Sequence, residues 1–152
     1  MPTNSISARQ FRIDNGLPVK NKSVPKSVPK SKRQPGTPRN KWEQEMFNLL
    51  TALVKAKVIK SFAYESITFY MMDKPKCSYK PDFLVIGNNY ESLIIETKGY
   101  QWEKDKIRFL WASQLNPGFR FVMLTKDKSK WVVKHDLNKG SAELPKEIVN
   151  DL

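Results

Sequence analysis

A pair of short apolar runs around a polar turn is the feature of this sequence that most constrains its fold. Residues 83–86 and 93–95 are apolar, and the residues between them include a glycine and two asparagines. Short apolar runs separated by such turn residues predict a β-hairpin. A hairpin centred on residue 89 places Asp82 directly opposite Glu96 on the neighbouring strand.

Asp82 and Glu96 repel each other in that arrangement. Directly opposed side chains lie about 4.5 to 5.5 Å apart at Cβ, and like charges there are destabilising. A divalent cation offsets the repulsion, and Mg²⁺ is typically held by one or two carboxylates together with substrate phosphates. The pattern therefore predicts an Mg²⁺ site with Asp82 and Glu96 as ligands, and the backbone carbonyl of Thr97 is a further candidate ligand.

Lys98 is expected to stand beside this metal site. Side chains alternate along a strand, so Glu96 and Lys98 share one face while Thr97 points away. Phosphodiester hydrolysis needs an activated water, neutralisation of charge on the non-bridging oxygens and help for the leaving alkoxide, which metals held by carboxylates can supply. Lys98 would orient or polarise the water or stabilise the pentavalent phosphorus. Proximity to the cation and partial desolvation predict a lowered pKa for Lys98.

The basic residues of the chain are concentrated at its N-terminus. The chain has 152 residues, enough for one domain, and its net charge of +12 favours a polyanionic partner. Residues 1–41 carry ten Lys and Arg against one acidic residue, or +9, whereas residues 42–152 carry seventeen against fourteen, or +3. We expect a basic, proline-rich, disordered arm over 1–39, a core domain over 40–140, and a tail or short helix over 141–152.

The core is predicted to be an α/β domain with the element order α-β-β-β-α-β-β. Apolar residues at helical spacing predict a first helix within 40–58, with Asn40 as its N-cap. A second helix is expected to start at a cap formed by Asp105 and to bury one stripe of side chains, with Trp111 in the core. The stripe comprises Ile107, Leu110, Trp111, Gln114 and Leu115. Strands are expected in 62–71, in both arms of the hairpin at 82–98, in 119–124 and in 131–135, the last at an edge. Together these elements predict a mixed central sheet flanked by helices.

Glu43 is the acidic residue of the first helix that we expect at the site. It precedes Phe47, Leu50 and Val54 by four, seven and eleven residues, so it falls on the predicted buried stripe near the helix start. A carboxylate on an inward face needs a partner, and the metal site is one. Glu45, on the flank of the stripe, is the second candidate. If Glu43 is instead exposed, it only complements the helix dipole.

The spacing of these residues resembles a known motif. Pro81-Asp82 followed by Glu96-Thr97-Lys98 is similar to the motif of the PD-(D/E)XK nuclease superfamily. The closest likeness is to the phage endonuclease I group of Holliday junction resolvases, in which a helix carrying an acid precedes a "PDF" strand and an "ETKG" strand. The likeness covers roughly residues 40–125.

That resemblance implies a restriction-endonuclease-like core and Mg²⁺-dependent cleavage of DNA, with Mn²⁺ able to substitute. It implies that the substrate is branched DNA cut by a homodimer. By the same likeness Asp82 and Glu96 bind metal, Lys98 is catalytic, and Glu43 assists the metal or the water.

Other basic side chains are candidates for DNA contacts, because lysine and arginine at a nuclease cleft position the phosphate backbone. They lie in the second helix and in the loop between the last two strands: Lys104, Lys106, Arg108, Lys128 and Lys130. Two alternatives stay open at this point. One is a basic DNA-binding protein without enzymatic activity, and the other is a nuclease subunit of a transposition or restriction complex.

The sequence also bears on location. It contains neither the apolar core of a signal peptide nor an 18-residue apolar run, so no membrane partner is expected. We expect a cytoplasmic protein, in the host cytoplasm if it is phage-encoded. Cys77 is the single cysteine, which excludes an intramolecular disulfide and a cysteine-rich zinc cluster.

Overall fold

The computed structural model describes residues 36–73, 76–99 and 103–149. The expected N-terminal arm therefore lies outside the described residues, apart from its last four. The helices and strands in chain order are α1 (Lys41–Lys55), β1 (Ser61–Tyr64), β2 (Phe69–Met72), β3 (Cys77–Tyr79), β4 (Phe83–Ile86), β5 (Ser92–Lys98), α2 (Glu103–Leu115), β6 (Phe119–Asp127) and β7 (Lys130–Leu137), followed by a 3₁₀ helix at Lys139–Ser141.

The main sheet is five-stranded and mixed, which confirms the predicted α/β class. Its strand order is β1-β4-β5-β6-β7, with β5 and β6 parallel and the other neighbours antiparallel. A parallel pair needs a crossover connection, and α2 provides it between β5 and β6. Strands β2 and β3 form a separate two-stranded sheet. As predicted, β7 lies at an edge.

The hairpin of β4 and β5 has the predicted register. Leu84 pairs with Ile94, and the paired ladder ends at Phe83 and Ile95. Asp82 therefore lies one residue beyond the ladder, opposite the level of Glu96. The turn closes with Tyr90 at a positive φ of 64°.

The two faces of the sheet bury different cores. On one face, Met46 and Leu50 of α1 pack against Phe83 and Ile95, which confirms the inward face predicted for the first helix. Full burial of each such side chain contributes about 1.5 to 3 kcal/mol. On the other face, α2 and the small sheet cover the alternate residues of β4 to β6. Because strand side chains alternate, Glu96 and Lys98 face α2, while Thr97 faces α1.

The prediction of one strand over 62–71 was wrong. The segment forms β1 and β2, which belong to different sheets. Glu65 separates them with a positive φ of 46°, a conformation that a strand residue cannot hold. The short β3 was not predicted, because three residues carry too little of a period-two pattern.

The face of α2 that contacts the sheet also differs from the prediction. The helix begins at Glu103, so Asp105 lies inside its first turn and is not the cap. Its buried residues are Phe109, Ala112 and Ser113, whereas Ile107 is 58% exposed and Leu115 is 52% exposed. The small side chains at 112 and 113 let the helix approach the sheet closely, and Phe109 packs against aromatic rings there. Trp111 is half-buried and lies outside both cores.

The segment after the 3₁₀ helix packs against the first core. Ala142 and Ile148 are buried, and a turn in which the Ile148 N–H donates to the Pro145 carbonyl replaces the short helix allowed for this region. The guanidinium of Arg120 bonds both carboxylate oxygens of Asp136 and donates to the Ala142 carbonyl. One side chain thus ties β6 to β7 and to the C-terminal segment.

None of the helices among the described residues is long and apolar enough to cross a membrane.

Candidate active site

The site forms where β5 ends and β4 begins. Asp82 reaches towards β5, where its Oδ2 accepts hydrogen bonds from the backbone N–H and from the hydroxyl of Thr97, both at 2.8 Å. Two donors on one oxygen fix the carboxylate in place. The other oxygen, Oδ1, carries neither of these bonds. The structure thus brings the predicted residues Asp82, Glu96, Thr97 and Lys98 together.

Glu96 is almost fully buried, with 4% of its surface exposed. Its Oε1 lies 2.8 Å from Nζ of Lys98, and its Oε2 accepts a hydrogen bond of 2.8 Å from the hydroxyl of Tyr79. A buried carboxylate needs such donors, because desolvation of an unpartnered charge is costly. Each oxygen of Glu96 therefore has a side-chain donor, and the backbone N–H of Asp82 is a further donor to this carboxylate.

The two carboxylates carry negative charge that their surroundings do not fully compensate. Burial and, next, the charge of Glu96 raise the pKa of Asp82 to about 7, against the opposing hydrogen bonds from Thr97. Burial also raises the pKa of Glu96, although Lys98 and Tyr79 oppose the shift. A bound divalent cation would relieve this repulsion, and carboxylate oxygens are the ligands that Mg²⁺ prefers. The donor set of Asp82 and Glu96 therefore fits Mg²⁺.

Lys98 lies between two carboxylates. Its Nζ is 2.8 Å from Glu96 and 3.5 Å from Oδ2 of Asp105 in the first turn of α2. Burial by itself lowers the pKa of Lys98, but the charges of Glu96 and Asp105 outweigh it, so the pKa lies above its ordinary value. This direction is opposite to the lowered pKa expected from the sequence. The side chain is 26% exposed, so the site reaches solvent.

Glu43 is buried, with 6% of its surface exposed, and holds the start of α1. Asn40 is the N-cap as predicted, and its side chain exchanges hydrogen bonds with Glu43. The second oxygen of Glu43 accepts from the Arg39 N–H at 2.7 Å and from the Tyr64 hydroxyl at 2.5 Å. The charge of Glu43 also contributes to the raised pKa of Asp82, after burial and Glu96. The helix acid is therefore near Asp82 and occupied by capping donors.

The described residues contain no group of three or more His, Cys, Asp or Glu side chains placed to share one metal ion. Asp82 and Glu96 are accordingly a pair, which Glu43 does not complete as a third carboxylate in this structure. Glu45, the second candidate, pairs with Lys126 of β6 instead.

Gly99, which follows Lys98, lies close to the side chain of Trp42. A Cβ at this position would lie 2.9 Å from Nε1 of Trp42, a side chain at the start of α1. The glycine therefore brings the end of β5 against α1, next to the site.

We expect Gly99→Ala to lower the free energy of unfolding by about 1 to 3 kcal/mol, the usual cost of overpacking. Urea denaturation measures the change. Gly118→Ala is the matched control, because nothing lies within 4 Å of a Cβ there. Equal stability of the two variants would show that the Trp42 side chain can move away from the added methyl group without lowering the free energy of unfolding.

The candidate DNA contacts flank the end of the sheet that carries the site. Lys104 and Arg108 are exposed and Lys106 is half-buried, and their helix touches the site through Asp105 and Lys98. Lys128 and Lys130 are exposed at the turn between β6 and β7. This turn follows Thr125, the residue of β6 that is next to Lys98 in the strand register.

Three residues at the site were not predicted from the sequence. Tyr64 and Tyr79 donate to Glu43 and Glu96, and Asp105 pairs with Lys98. The tyrosines join residues 21 and 17 positions away, and no spacing rule for a single strand or helix connects them. For Asp105 the sequence predicts only a helix cap.

A comparison with known protein families, curated proteins and solved structures found no match to this chain. The chemistry of the site is therefore inferred from the carboxylate pair, from Lys98 and from the Pro-Asp and Glu-Thr-Lys segments themselves.

Proposed function

We propose that this protein is a metal-dependent endonuclease that hydrolyses phosphodiester bonds in DNA, with branched DNA such as a Holliday junction as its substrate. The observation that carries the proposal is the pair of half-buried Asp82 and buried Glu96, whose pKa values are raised, beside the cationic Lys98. Such a pair is costly to keep in a fold unless a cation offsets its charge.

Asp82 and Glu96 would hold Mg²⁺ or Mn²⁺, with the Thr97 carbonyl as a further oxygen ligand. When bound, the cation polarises the scissile phosphate and acidifies a water molecule. Thr97 fixes Asp82 through two hydrogen bonds, which leaves the other oxygen of Asp82 for the cation. Two anchored ligands reduce the entropy lost on metal binding.

Lys98 acts in this proposal as a cation and hydrogen-bond donor. Its raised pKa keeps it protonated at neutral pH, which makes it unsuited to removing a proton from water. It donates instead to a non-bridging oxygen of the phosphate, where negative charge develops. Glu43 assists through its negative charge, which acts on Asp82.

The substrate side of the proposal rests on charge and symmetry. Lys104, Arg108 and Lys128 are exposed around the site end of the sheet, where they can contact phosphates on either side of the scissile bond. Resolution of a junction needs two symmetric cuts, so the proposal includes a homodimer. The exposed Ile107 and Leu115 on α2 offer apolar surface for it. The cytoplasmic location expected from the sequence also belongs to this proposal.

Incubation of the purified protein with a four-way junction, linear duplex and single-stranded DNA tests the proposed function. We expect cleavage in Mg²⁺ or Mn²⁺, none in EDTA, the junction cut fastest, and no cleavage by Asp82→Asn. Binding without cleavage under all conditions would overturn the proposal. It would favour the alternative that the net charge of +12 supports, a DNA-binding protein without enzymatic activity. Cleavage only after addition of partner proteins would identify a subunit of a transposition or restriction complex.

A further inference from the structure

The phenol of Tyr79 is buried against a proposed metal ligand. Tyr79 is 7% exposed, and its hydroxyl donates to Oε2 of Glu96 at 2.8 Å. Lys98 occupies the other oxygen at 2.8 Å. The backbone N–H of Asp82 is a third donor to this carboxylate. An ionised carboxylate has about four lone-pair positions, so three donors leave a position for a cation. Glu96 is thus oriented from two sides without being saturated.

The position of this hydroxyl is set by packing. The ring of Tyr79 stacks with Phe69 at a centroid distance of 6.4 Å and 14° between planes, and meets Phe109 edge-on at 6.1 Å. Tyr79 belongs to β3, Phe69 to the neighbouring strand β2 and Phe109 to α2. The ring of Tyr79 is therefore packed between β2 and α2. A ring held in this way has little rotamer freedom, and its hydroxyl is aimed at Glu96 before any ligand binds.

We propose that Tyr79 is a positioning residue for the metal site: it holds the Glu96 carboxylate in the orientation that binds the cation. This inference rests on the proposed function, because it assigns Tyr79 a role towards the metal of that reaction. Partners that orient a metal ligand typically contribute about 10- to 100-fold to metal affinity. The small sheet of β2 and β3 then supports the site by carrying this hydroxyl.

Tyr64 provides a matched comparison. Its hydroxyl donates to Glu43, but Glu43 also accepts from the Arg39 N–H and from Asn40. Loss of the Tyr64 hydroxyl leaves the same oxygen of Glu43 bonded to the Arg39 N–H, whereas loss of the Tyr79 hydroxyl removes the side-chain donor to Oε2 of Glu96. Tyr79→Phe and Tyr64→Phe each remove one phenolic hydroxyl that donates to a buried glutamate.

Calorimetric titration with Mn²⁺ in the absence of DNA measures the role of Tyr79 apart from catalysis. We expect Tyr79→Phe to bind Mn²⁺ about 10-fold or more weakly than the wild type and Tyr64→Phe to stay within about threefold. The Mg²⁺ concentration for half-maximal cleavage should rise by the same factor as the Mn²⁺ Kd, while the KM for a four-way junction stays unchanged. A change in KM with unchanged metal affinity would contradict the inference.

Glu96→Gln separates failure of this inference from failure of the proposed function. If Glu96→Gln abolishes Mn²⁺ binding and Tyr79→Phe leaves it unchanged, Tyr79 has no positioning role and the proposed function stands. If Glu96→Gln binds Mn²⁺ like the wild type, the proposed metal site itself is wrong.

Two amino-acid analogues at position 79 keep the inference testable if Tyr79→Phe does not fold. 4-Methylphenylalanine fills the space of the hydroxyl without a donor, and 4-aminophenylalanine restores a donor on the same ring. We expect weakened Mn²⁺ binding with the first and near wild-type binding with the second. Equal affinities of the two proteins would overturn the inference.

Discussion

Lys98→Met is expected to lower the rate of junction cleavage by about 10²- to 10⁴-fold, the range over which a positioned proton-transfer or donor group typically contributes to catalysis. The substitution keeps the apolar stem and removes the ammonium that lies 2.8 Å from Glu96. In the proposed mechanism Lys98 donates to the phosphate mainly in the transition state, where negative charge develops. The Kd for the junction should therefore change by no more than about threefold. Single-turnover cleavage and equilibrium binding measure the two quantities.

Lys134→Met is the matched control for this prediction. Lys134 is also a strand lysine, but it is exposed on the edge strand β7. Its replacement removes one positive charge without touching the carboxylate pair, so the cleavage rate should stay within about threefold of the wild type. The assay is run at saturating Mg²⁺, because loss of Lys98 also removes a counter-charge from Glu96 and Asp105. Wild-type cleavage by Lys98→Met would remove Lys98 from the proposed machinery.

In the metal-free protein we expect Asp82 to destabilise the fold as the pH rises from about 4 to about 7. The pKa of Asp82 is about 7 in the folded protein, because of burial and then the charge of Glu96, against an ordinary value of 3.8. Between these two values the folded protein holds a proton that the unfolded chain has released. Stability therefore falls as the pH rises through this window, and the full loss is present above the folded pKa. The size is at most about 4 kcal/mol, since one pKa unit corresponds to about 1.4 kcal/mol.

Denaturation of wild type and Asp82→Asn in EDTA measures this effect as a difference, which cancels the titration of all other groups. Asparagine has a similar shape and carries no charge, so the variant should gain stability relative to wild type from pH 4 to pH 7. Addition of Mg²⁺ at pH 8 should stabilise the wild type and leave Asp82→Asn unchanged, because only the carboxylate pair binds the cation. If the free energies of unfolding of the two proteins change in parallel with pH, the pKa of Asp82 is not raised in the folded protein.

The hairpin was predictable because its information is local. Apolar runs set its two strands, the turn residues set its register, and the observed pairing of Leu84 with Ile94 is the predicted one. Alternation along β5 correctly placed Glu96 and Lys98 on one face. The buried face of α1 followed from helical spacing in the same way. In each case neighbours within one element or one hairpin carry the pattern.

The rotation of α2 was not predictable from its own residues. The apolar side chains of this helix are distributed over more than one face. The face that packs against the sheet carries Phe109, Ala112 and Ser113. The choice depends on aromatic rings of β3 and β6 that meet Phe109. Helical spacing contains no information about that opposing surface.

The sequence by itself determined which groups come together at the proposed site: Asp82 and Glu96 as opposed acids, with Lys98 two residues along the same face. Local spacing suffices for this, because strand alternation and hairpin register are properties of short segments. Only the tertiary structure decided how these groups are held. The Tyr79 hydroxyl donates to Glu96, Asp105 forms an ion pair with Lys98, and three donors near the start of α1 bond to Glu43. These contacts join elements that meet only when the sheet, both helices and the small sheet have packed around the site.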